Sequence, residues 1–355
     1  MRLTVDESIK KIPFYPKAAL YGSEEGWTRL ASNENPFPPS SKVIASILES
    51  VFSINRYPES EFELKALLAA KYGLEPENIV IGNGSNELIE TALKGMRHPT
   101  RKIVLIHDPS FAFYSIAAQI YGYEARRIGF PDLTVDLGII LENIDENVRV
   151  VFLNNPSNPT GTIFEDAAFK WFLDRLPPEV LVVVDEAYAE FATSEKFPKS
   201  MTYVRDYPVL VLRTFSKAYG LAGLRVGYGV GDASIASFVE RTKQPFSINM
   251  MALIGAKAAL SDDKYVAKVL ESNKEGRDFF YSLFAELGLA FVPTEANFVL
   301  VHVGSSAEEL AKRLFEKKIL VRWMGAYDLP EYIRVTVGTT DENKLFASGL
   351  RSSLT

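Results

Sequence analysis

Short aliphatic runs alternate with helical segments through the middle of this chain, and this alternation constrains the fold more than any other feature. The runs Ile103–Ile106, Val148–Leu153, Val180–Val184 and Val209–Leu212 are almost entirely apolar, which is typical of strands buried on both faces. Segments of helical periodicity lie between them. The pattern therefore predicts an α/β fold, with a mostly parallel sheet between two layers of helices.

The length of the chain predicts more than one hydrophobic core. A chain of 355 residues exceeds what one core usually supports, so we expect a large domain and a smaller one. Prolines interrupt residues 1–40, which we interpret as an N-terminal arm that contributes to the small domain and to the active site. The large domain is expected at residues 41–260, and a small α+β domain at residues 261–355.

Composition argues against several classes of function. The chain has 45 acidic and 39 basic residues, a net charge of −6, whereas a nucleic-acid surface requires a basic excess or stripe. It has no cysteine and three scattered histidines, so we expect no metal site. The sequence shows neither a signal peptide nor an apolar run that could span a bilayer. We therefore expect a cytoplasmic protein with neither a membrane nor a nucleic acid as partner.

Polar side chains follow three of the predicted strands. Asn158, Asp185 and Lys217 each lie just beyond a strand end, where ligands bind in sheets of this kind. A lysine beside a buried strand can have a lowered pKa and act as a nucleophile. A buried carboxylate at Asp185 requires a partner, which a protonated heterocyclic nitrogen would supply. Alternatively, Asp185 could cap the next element, and Asn158 could form an Asx turn before Pro159.

A second group of residues is suited to binding a phosphate. Thr214 and Ser216 flank the end of the strand that precedes Lys217, and Arg225 follows eight residues after the lysine. The glycine turn Gly82–Glu87 opens a helix, whose free N–H groups attract anions. An amine nucleophile, a carboxylate for a pyridinium nitrogen and a phosphate cradle together describe a site for pyridoxal 5'-phosphate (PLP).

The sequence resembles the fold-type I PLP-dependent aminotransferases of class I/II, and most closely their histidinol-phosphate aminotransferase branch. The resemblance covers nearly the whole chain. The matching segments are Leu30–Pro36, Arg56–Pro58, Gly82–Glu87, Asn155–Gly161, Asp185–Tyr188, Arg213–Tyr228, Ala296–Phe298 and Tyr332–Gly338. It implies a large domain with a mostly parallel seven-stranded sheet between helices, a smaller α+β domain, and a homodimer.

The resemblance also implies roles for residues around the cofactor. Lys217 would form an imine with PLP and later carry a proton from the substrate Cα to the cofactor. Asp185 would pair with the pyridine nitrogen, and Asn158 and Tyr188 would hydrogen-bond the phenolic oxygen. Phe111 would stack on the cofactor ring. The phosphate cradle would comprise Ser85, Asn86, Thr214, Ser216 and Arg225, with Tyr57 reaching it from the neighbouring subunit.

Substrate contacts follow from the same resemblance. Arg334 would bind the acidic group of either substrate, and Arg322 matches a second arginine of the histidinol-phosphate enzymes. Tyr15 and Asn33 would close over the substrate. A surface ion pair for Arg322 and a packing role for Tyr15 are the structural alternatives. The residues do not identify a pocket for an imidazole ring.

The implied reaction converts L-histidinol phosphate and 2-oxoglutarate into imidazole acetol phosphate and L-glutamate, a step of histidine biosynthesis. An aromatic amino-acid aminotransferase and a threonine-phosphate decarboxylase are the alternatives among PLP enzymes. A PLP-binding regulatory module without turnover is an alternative from another class. Residue chemistry alone does not separate these functions.

Overall fold

The computed structural model describes residues 7–16, 25–130 and 132–354. The expected N-terminal arm, 1–40, therefore lies partly outside the described residues. The helices are α1 Glu7–Lys11, α2 Ser41–Ser50, α3 Phe62–Tyr72, α4 Gly84–Gly95, α5 Phe113–Ile120, α6 Leu137–Glu142, α7 Asp166–Leu173, α8 Ala233–Glu240, α9 Met250–Leu260, α10 Asp263–Glu286, α11 Ala307–Glu316 and α12 Thr340–Leu354. The strands are β1 Thr28–Arg29, β2 Ile79–Gly82, β3 Ile103–Asp108, β4 Glu124–Gly129, β5 Val148–Asn154, β6 Leu181–Asp185, β7 Val209–Thr214, β8 Gly227–Gly231, β9 Phe291–Val292, β10 Phe298–His302, β11 Ile319–Leu320, β12 Arg322–Trp323 and β13 Tyr332–Thr336.

The large sheet has seven strands in the order β2-β8-β7-β6-β5-β3-β4. The pairs from β7 through β4 are parallel, and β8 is antiparallel to both of its neighbours. The predicted seven-stranded, mostly parallel sheet is confirmed. Its parallel strands run in one direction, so their carboxyl ends meet along a single edge.

Successive residues of the central strands pack against opposite helix layers, which explains why these strands are apolar at consecutive positions. On β5, Val150 and Phe152 pack with α4, α5 and α8, whereas Val151 and Leu153 pack with α3, α6, α7 and α9. Each such buried side chain contributes about 1.5–3 kcal/mol relative to an exposed one. Both faces of the sheet are therefore covered.

Polar caps determine where several of these helices begin. The Ser40 hydroxyl accepts a hydrogen bond from Val43 N at the start of α2. The side chains of Asp232, Asn249 and Asp262 cap α8, α9 and α10 in the same way. Asn249 and Asp262 thus start two separate helices that follow each other closely in the chain.

The smaller sheet is antiparallel, with the order β12-β13-β10-β9. It packs against α10, α11 and α12 around a core that includes Phe280, Phe284 and Phe346. The short strand β1 pairs with β11 next to this unit, and Leu30 is buried in the same core. The domain boundaries near residues 40 and 260 stay predictions. Within the described ranges, no helix is long and apolar enough to cross a membrane.

Candidate active site

A cavity of about 480 Å³ lies where the carboxyl ends of β5, β6 and β7 face the smaller sheet. All the predicted site residues line it except Tyr57. They are Tyr15, Asn33, Ser85, Asn86, Phe111, Asn158, Asp185, Tyr188, Thr214, Ser216, Lys217, Arg225, Arg322 and Arg334. The fold thus brings distant parts of the chain to one cavity: Tyr15 and Arg334, which both line it, are 319 positions apart in sequence.

Lys217 lies in the loop that follows β7. Its Nζ donates a hydrogen bond to the Ser32 carbonyl at 3.1 Å. Burial lowers the pKa of Lys217 from 10.5 to about 8, and the positive charges of Arg334 and Arg225 act in the same direction. A substantial fraction of the amine is therefore neutral near physiological pH, as a nucleophile or a general base requires.

The backbone beside Lys217 is held by a residue that the sequence analysis did not select. Asn35 Nδ2 donates to the carbonyls of Lys217 and Ala218, at 3.1 and 3.0 Å. Asn35 lies two residues after the predicted Asn33. The segment was therefore recognised in the sequence, but the contact of Asn35 with the Lys217 backbone was not. Asn35 and Lys217 are 182 positions apart, so their contact cannot be seen from spacing in the sequence.

Asp185 ends β6 and is buried. Its Oδ1 accepts a hydrogen bond from Ala187 N at 3.1 Å, and its Oδ2 accepts one from the Tyr114 hydroxyl at 2.7 Å. Burial raises the pKa of Asp185, while the donors Tyr114 and Ala187 and the charge of Lys217 oppose this rise. Tyr114 was not predicted from the sequence, because no local pattern distinguishes it from a core aromatic residue.

Asn154 fixes the loop that carries Asn158. It ends β5 directly opposite Asp185, and its Nδ2 donates to the Asp185 carbonyl at 3.0 Å. Its Oδ1 accepts a hydrogen bond from Asn158 N at 2.6 Å. Asn154 was not predicted from the sequence either, although it lies at the end of an apolar strand, which is the same signal that identified Asp185.

Glycines allow the predicted phosphate cradle to close around its donors. Gly84 has φ +72°, and a Cβ there would lie 2.5 Å from Arg225 Nη2. A Cβ on Gly227 would lie 2.7 Å from Ser85 N. Side chains at these two positions would displace the guanidinium or the helix start. Helix α4 begins at Gly84, within the glycine turn Gly82–Glu87, so Ser85 and Asn86 belong to its first turn.

The cradle presents several hydrogen-bond donors to one end of the cavity. The first turn of α4 carries free N–H groups and the positive end of the helix dipole. The hydroxyls of Thr214 and Ser216 and the guanidinium of Arg225 line the same cavity. Burial lowers the pKa of Arg225, because the charged guanidinium is removed from water. An anion with several acceptor oxygens would complement this end of the cavity.

A hydrogen-bonded chain links the two sheets across the cavity. The Tyr188 hydroxyl accepts from Asn33 Nδ2 at 3.0 Å and from Asn158 Nδ2 at 3.4 Å. Burial raises the pKa of Tyr188 to about 12, so the phenol stays protonated. Arg334 donates through Nη1 to Asn158 Oδ1, and through Nη2 to the Ala31 carbonyl at 2.9 Å. Its Nε has no hydrogen-bond partner within the described part of the chain.

Arg322 and Tyr15 lie where the arm meets the cavity. Arg322 Nη2 donates to the Pro16 carbonyl, so this arginine contacts the arm rather than a surface carboxylate. The ring of Tyr15 meets the predicted stacking ring of Phe111 edge-on, at 6.0 Å between centroids. Arg322 and Arg334 are directly opposite each other on β12 and β13, and both line the cavity.

Tyr57 is the one predicted site residue that lies outside this cavity. It is 76% exposed, and its ring stacks on Phe246 at 4.5 Å between centroids. The single chain therefore does not bring Tyr57 to the other predicted cofactor residues.

Comparisons with known proteins agree with this geometry. The family model described as aminotransferase class I and II matches residues 25–350. Histidinol-phosphate aminotransferase of Moorella thermoacetica is 43% identical over 329 residues, which cover 92% of this chain and 85% of the relative. Histidinol-phosphate aminotransferase 2 of Pseudomonas fluorescens (strain Pf0-1) is 39% identical over 352 residues, 99% of this chain and 93% of the relative. The crystal structure of histidinol-phosphate aminotransferase from Sinorhizobium meliloti in complex with pyridoxal-5'-phosphate aligns with a TM-score of 0.89 at 28% identity. That alignment covers 99% of this chain and 97% of the other.

Proposed function

The chain belongs to the aminotransferase class I and II family, and we propose that it transfers the amino group of L-histidinol phosphate to 2-oxoglutarate. The products are imidazole acetol phosphate and L-glutamate, in histidine biosynthesis. The observation that carries this choice of substrate is the pair Arg322 and Arg334, directly opposite each other on neighbouring strands and both facing the cavity. Like charges in this arrangement are unfavourable unless an anion lies between them.

Pyridoxal 5'-phosphate is the cofactor of this family, and the residues of the cavity fit it. Gly84 and Gly227 leave room for the cradle that would hold its phosphate, and the buried Asp185 would face its ring nitrogen. Lys217 and Phe111 line the same cavity as candidates for the covalent link and the stacking contact. When bound, PLP withdraws electrons from the substrate and stabilises negative charge at its Cα.

The residues around the cofactor have separate tasks in the proposed mechanism. Lys217, with a pKa of about 8, can take the proton from Cα of the amino donor without a large energetic cost. Asp185 would hold a proton on the ring nitrogen by charge pairing, because the two donors Tyr114 and Ala187 N favour its ionised form. Asn158 and Tyr188, joined by a hydrogen bond, would donate to the phenolic oxygen.

Two arginines would divide the recognition of substrates. Guanidinium groups bind phosphate through paired, charge-assisted hydrogen bonds, so Arg322 and Arg334 together suit the phosphate of histidinol phosphate. Glutamate has an α-carboxylate of lower charge, for which Arg334 alone can suffice. The Nε of Arg334, which has no hydrogen-bond partner among the described residues, is a donor that either anion could use.

We further propose a homodimer in which Tyr57 reaches the phosphate cradle of the partner subunit. A group of exposed apolar side chains supports this proposal. Leu48, Phe52, Ile54 and Phe62 are 62%, 93%, 66% and 59% exposed, and they surround Tyr57 in sequence. Exposed apolar side chains become buried when they lie in a protein interface. The cytoplasmic location expected from the sequence stays a prediction.

A half-reaction screen tests the proposed substrate. The PLP-loaded protein is mixed with histidinol phosphate, histidinol, phenylalanine, tyrosine or threonine phosphate, and the cofactor absorbance is followed. We expect histidinol phosphate to give the highest kcat/KM. Histidinol should be worse by orders of magnitude, because it leaves the buried guanidinium of Arg334 and the partly buried one of Arg322 without an anionic partner. Faster conversion of phenylalanine or tyrosine, or release of carbon dioxide from threonine phosphate, would contradict the proposal.

A further inference from the structure

Tyr114 is buried behind the cavity and contacts the site through one atom. It is fully buried and is not among the residues that line the cavity. Its hydroxyl donates to Asp185 Oδ2 at 2.7 Å, within the short range of hydrogen bonds to charged acceptors. A tyrosine outside the cavity lining is therefore hydrogen-bonded to the carboxylate expected to face the cofactor.

The direction of this hydroxyl is fixed by the packing of its ring. The Tyr114 ring lies nearly parallel to Phe152, with centroids 4.8 Å apart and an interplanar angle of 5°. Phe111 meets it edge-on at 5.5 Å. Because Phe152 belongs to β5 and Asp185 ends the adjacent β6, the phenol and the carboxylate are held by neighbouring strands.

The phenol stays protonated in this place and can donate to Asp185. Burial raises the pKa of Tyr114 well above its usual value, and the nearby charge of Asp185 adds to the effect. A permanently protonated donor stabilises the ionised form of its acceptor more than the neutral form. This contact therefore opposes the tendency of the buried Asp185 to become protonated.

We propose that Tyr114 is a positioning residue that orients Asp185 and keeps its carboxylate ionised, so that the proton shared with the cofactor stays on the ring nitrogen. The inference rests on the proposed function, because it requires PLP in the cavity. Without the Tyr114 hydroxyl, the carboxylate would bind a proton more tightly. The shared proton would then move from the ring nitrogen towards Asp185, and the cofactor would withdraw electrons less strongly.

The test is Tyr114→Phe, which removes the hydroxyl and keeps the stacked ring. Cofactor-free wild-type and variant proteins are loaded with PLP that carries ¹⁵N in its ring, and the ¹⁵N resonance is recorded. We expect the resonance of the variant to move towards the unprotonated position. The rate constant of the half-reaction should fall on the order of tenfold, the usual effect of a hydrogen bond to a charged group, while KM stays near that of wild type.

Tyr123→Phe is the matched control. Tyr123 is also a buried tyrosine of the same hydrophobic cluster, but its hydroxyl donates to the Leu93 carbonyl at 3.1 Å. We expect its loss to leave the ¹⁵N resonance in place. Thermal unfolding of all three proteins checks that the variants are folded.

When the wild type binds PLP, the outcomes test this inference and the proposed function separately. An unchanged resonance and rate in Tyr114→Phe, or an equal shift in Tyr123→Phe, would refute the role of Tyr114 and leave the proposed function intact. A wild type that binds PLP but converts none of the amino donors would refute the proposed function, while the resonances would still test Tyr114. A wild type that binds no PLP would refute both.

Discussion

Replacing Lys217 by methionine should make the cofactor-free protein more stable. The pKa of this lysine falls from 10.5 to about 8 on folding, so protonating its amine in the folded protein costs about 3 kcal/mol more than in the unfolded chain. The side chain is only partly buried, and solvent in the cavity reduces this cost. The variant also loses the hydrogen bond to the Ser32 carbonyl. We therefore expect a net gain of about 1–2 kcal/mol near neutral pH.

The dependence on pH distinguishes this mechanism from better packing of methionine. Below about pH 8 the amine is protonated in both states, so wild type carries the full penalty. Between pH 8 and 10.5 the unfolded chain binds more protons than the folded protein, and the stability contributed by this group rises with pH. Above that range the penalty is absent. The advantage of Lys217→Met should therefore shrink between pH 8 and 10.5.

Urea unfolding of the cofactor-free proteins, followed by tryptophan fluorescence at equal protein concentration, measures these differences. Lys42→Met is the matched control, because Lys42 is exposed and its amine also donates to a backbone carbonyl, that of Ser261 at 3.2 Å. Its replacement should change stability by about 0.5 kcal/mol or less. A Lys217→Met protein that is less stable than wild type near neutral pH, or whose advantage is the same at all pH values, would refute the reasoning.

Three further substitutions test the proposed site. Asp185→Asn should keep the fold and lose several kcal/mol of transition-state stabilisation, which kcat/KM of the half-reaction measures. Activity within a few-fold of wild type would contradict the role of Asp185. Hybrid dimers of one Lys217→Ala subunit and one Tyr57→Phe subunit should be more active than either parent protein, because one site of each hybrid has both residues wild type. No gain in activity despite subunit exchange would mean that Tyr57 does not serve the site of the partner subunit. Arg322→Ala should slow the histidinol-phosphate half-reaction more than the glutamate one, and equal losses would make Arg322 a structural residue.

The strands that are buried on both faces were predicted from the sequence, because their residues form continuous apolar runs. It did not predict β4, Glu124–Gly129, which is an edge strand with exposed charged side chains. Edge strands lack the apolar signal because one side and part of each face contact water. The short helix α6 and the two-residue strands were also missed, because tertiary contacts rather than local periodicity define them.

Site residues at strand ends were predictable, whereas their supporting contacts were not. Asp185 and Lys217 stand out because polar groups interrupt apolar strands at a shared edge of the sheet. Tyr114 resembles an ordinary core residue, and only the packed structure brings its hydroxyl to Asp185. Asn35 reaches Lys217 across 182 positions. Spacing in the sequence predicts which elements meet, but not which hydrogen bonds form between them.

Burial disfavours the charged form of each of three central groups in the cavity. It lowers the pKa of Lys217 and Arg334 and raises that of Asp185. The hydrogen-bond acceptors of Arg334 are a neutral amide and a carbonyl, not a carboxylate, and a buried charge with such partners is unfavourable. An anionic substrate would pair with Arg334, and a protonated ring nitrogen would pair with Asp185. The charged groups that lower the stability of the cofactor-free protein are therefore those that would bind the cofactor and the substrate. For this reason, removing the Lys217 amine is expected to stabilise the cofactor-free protein.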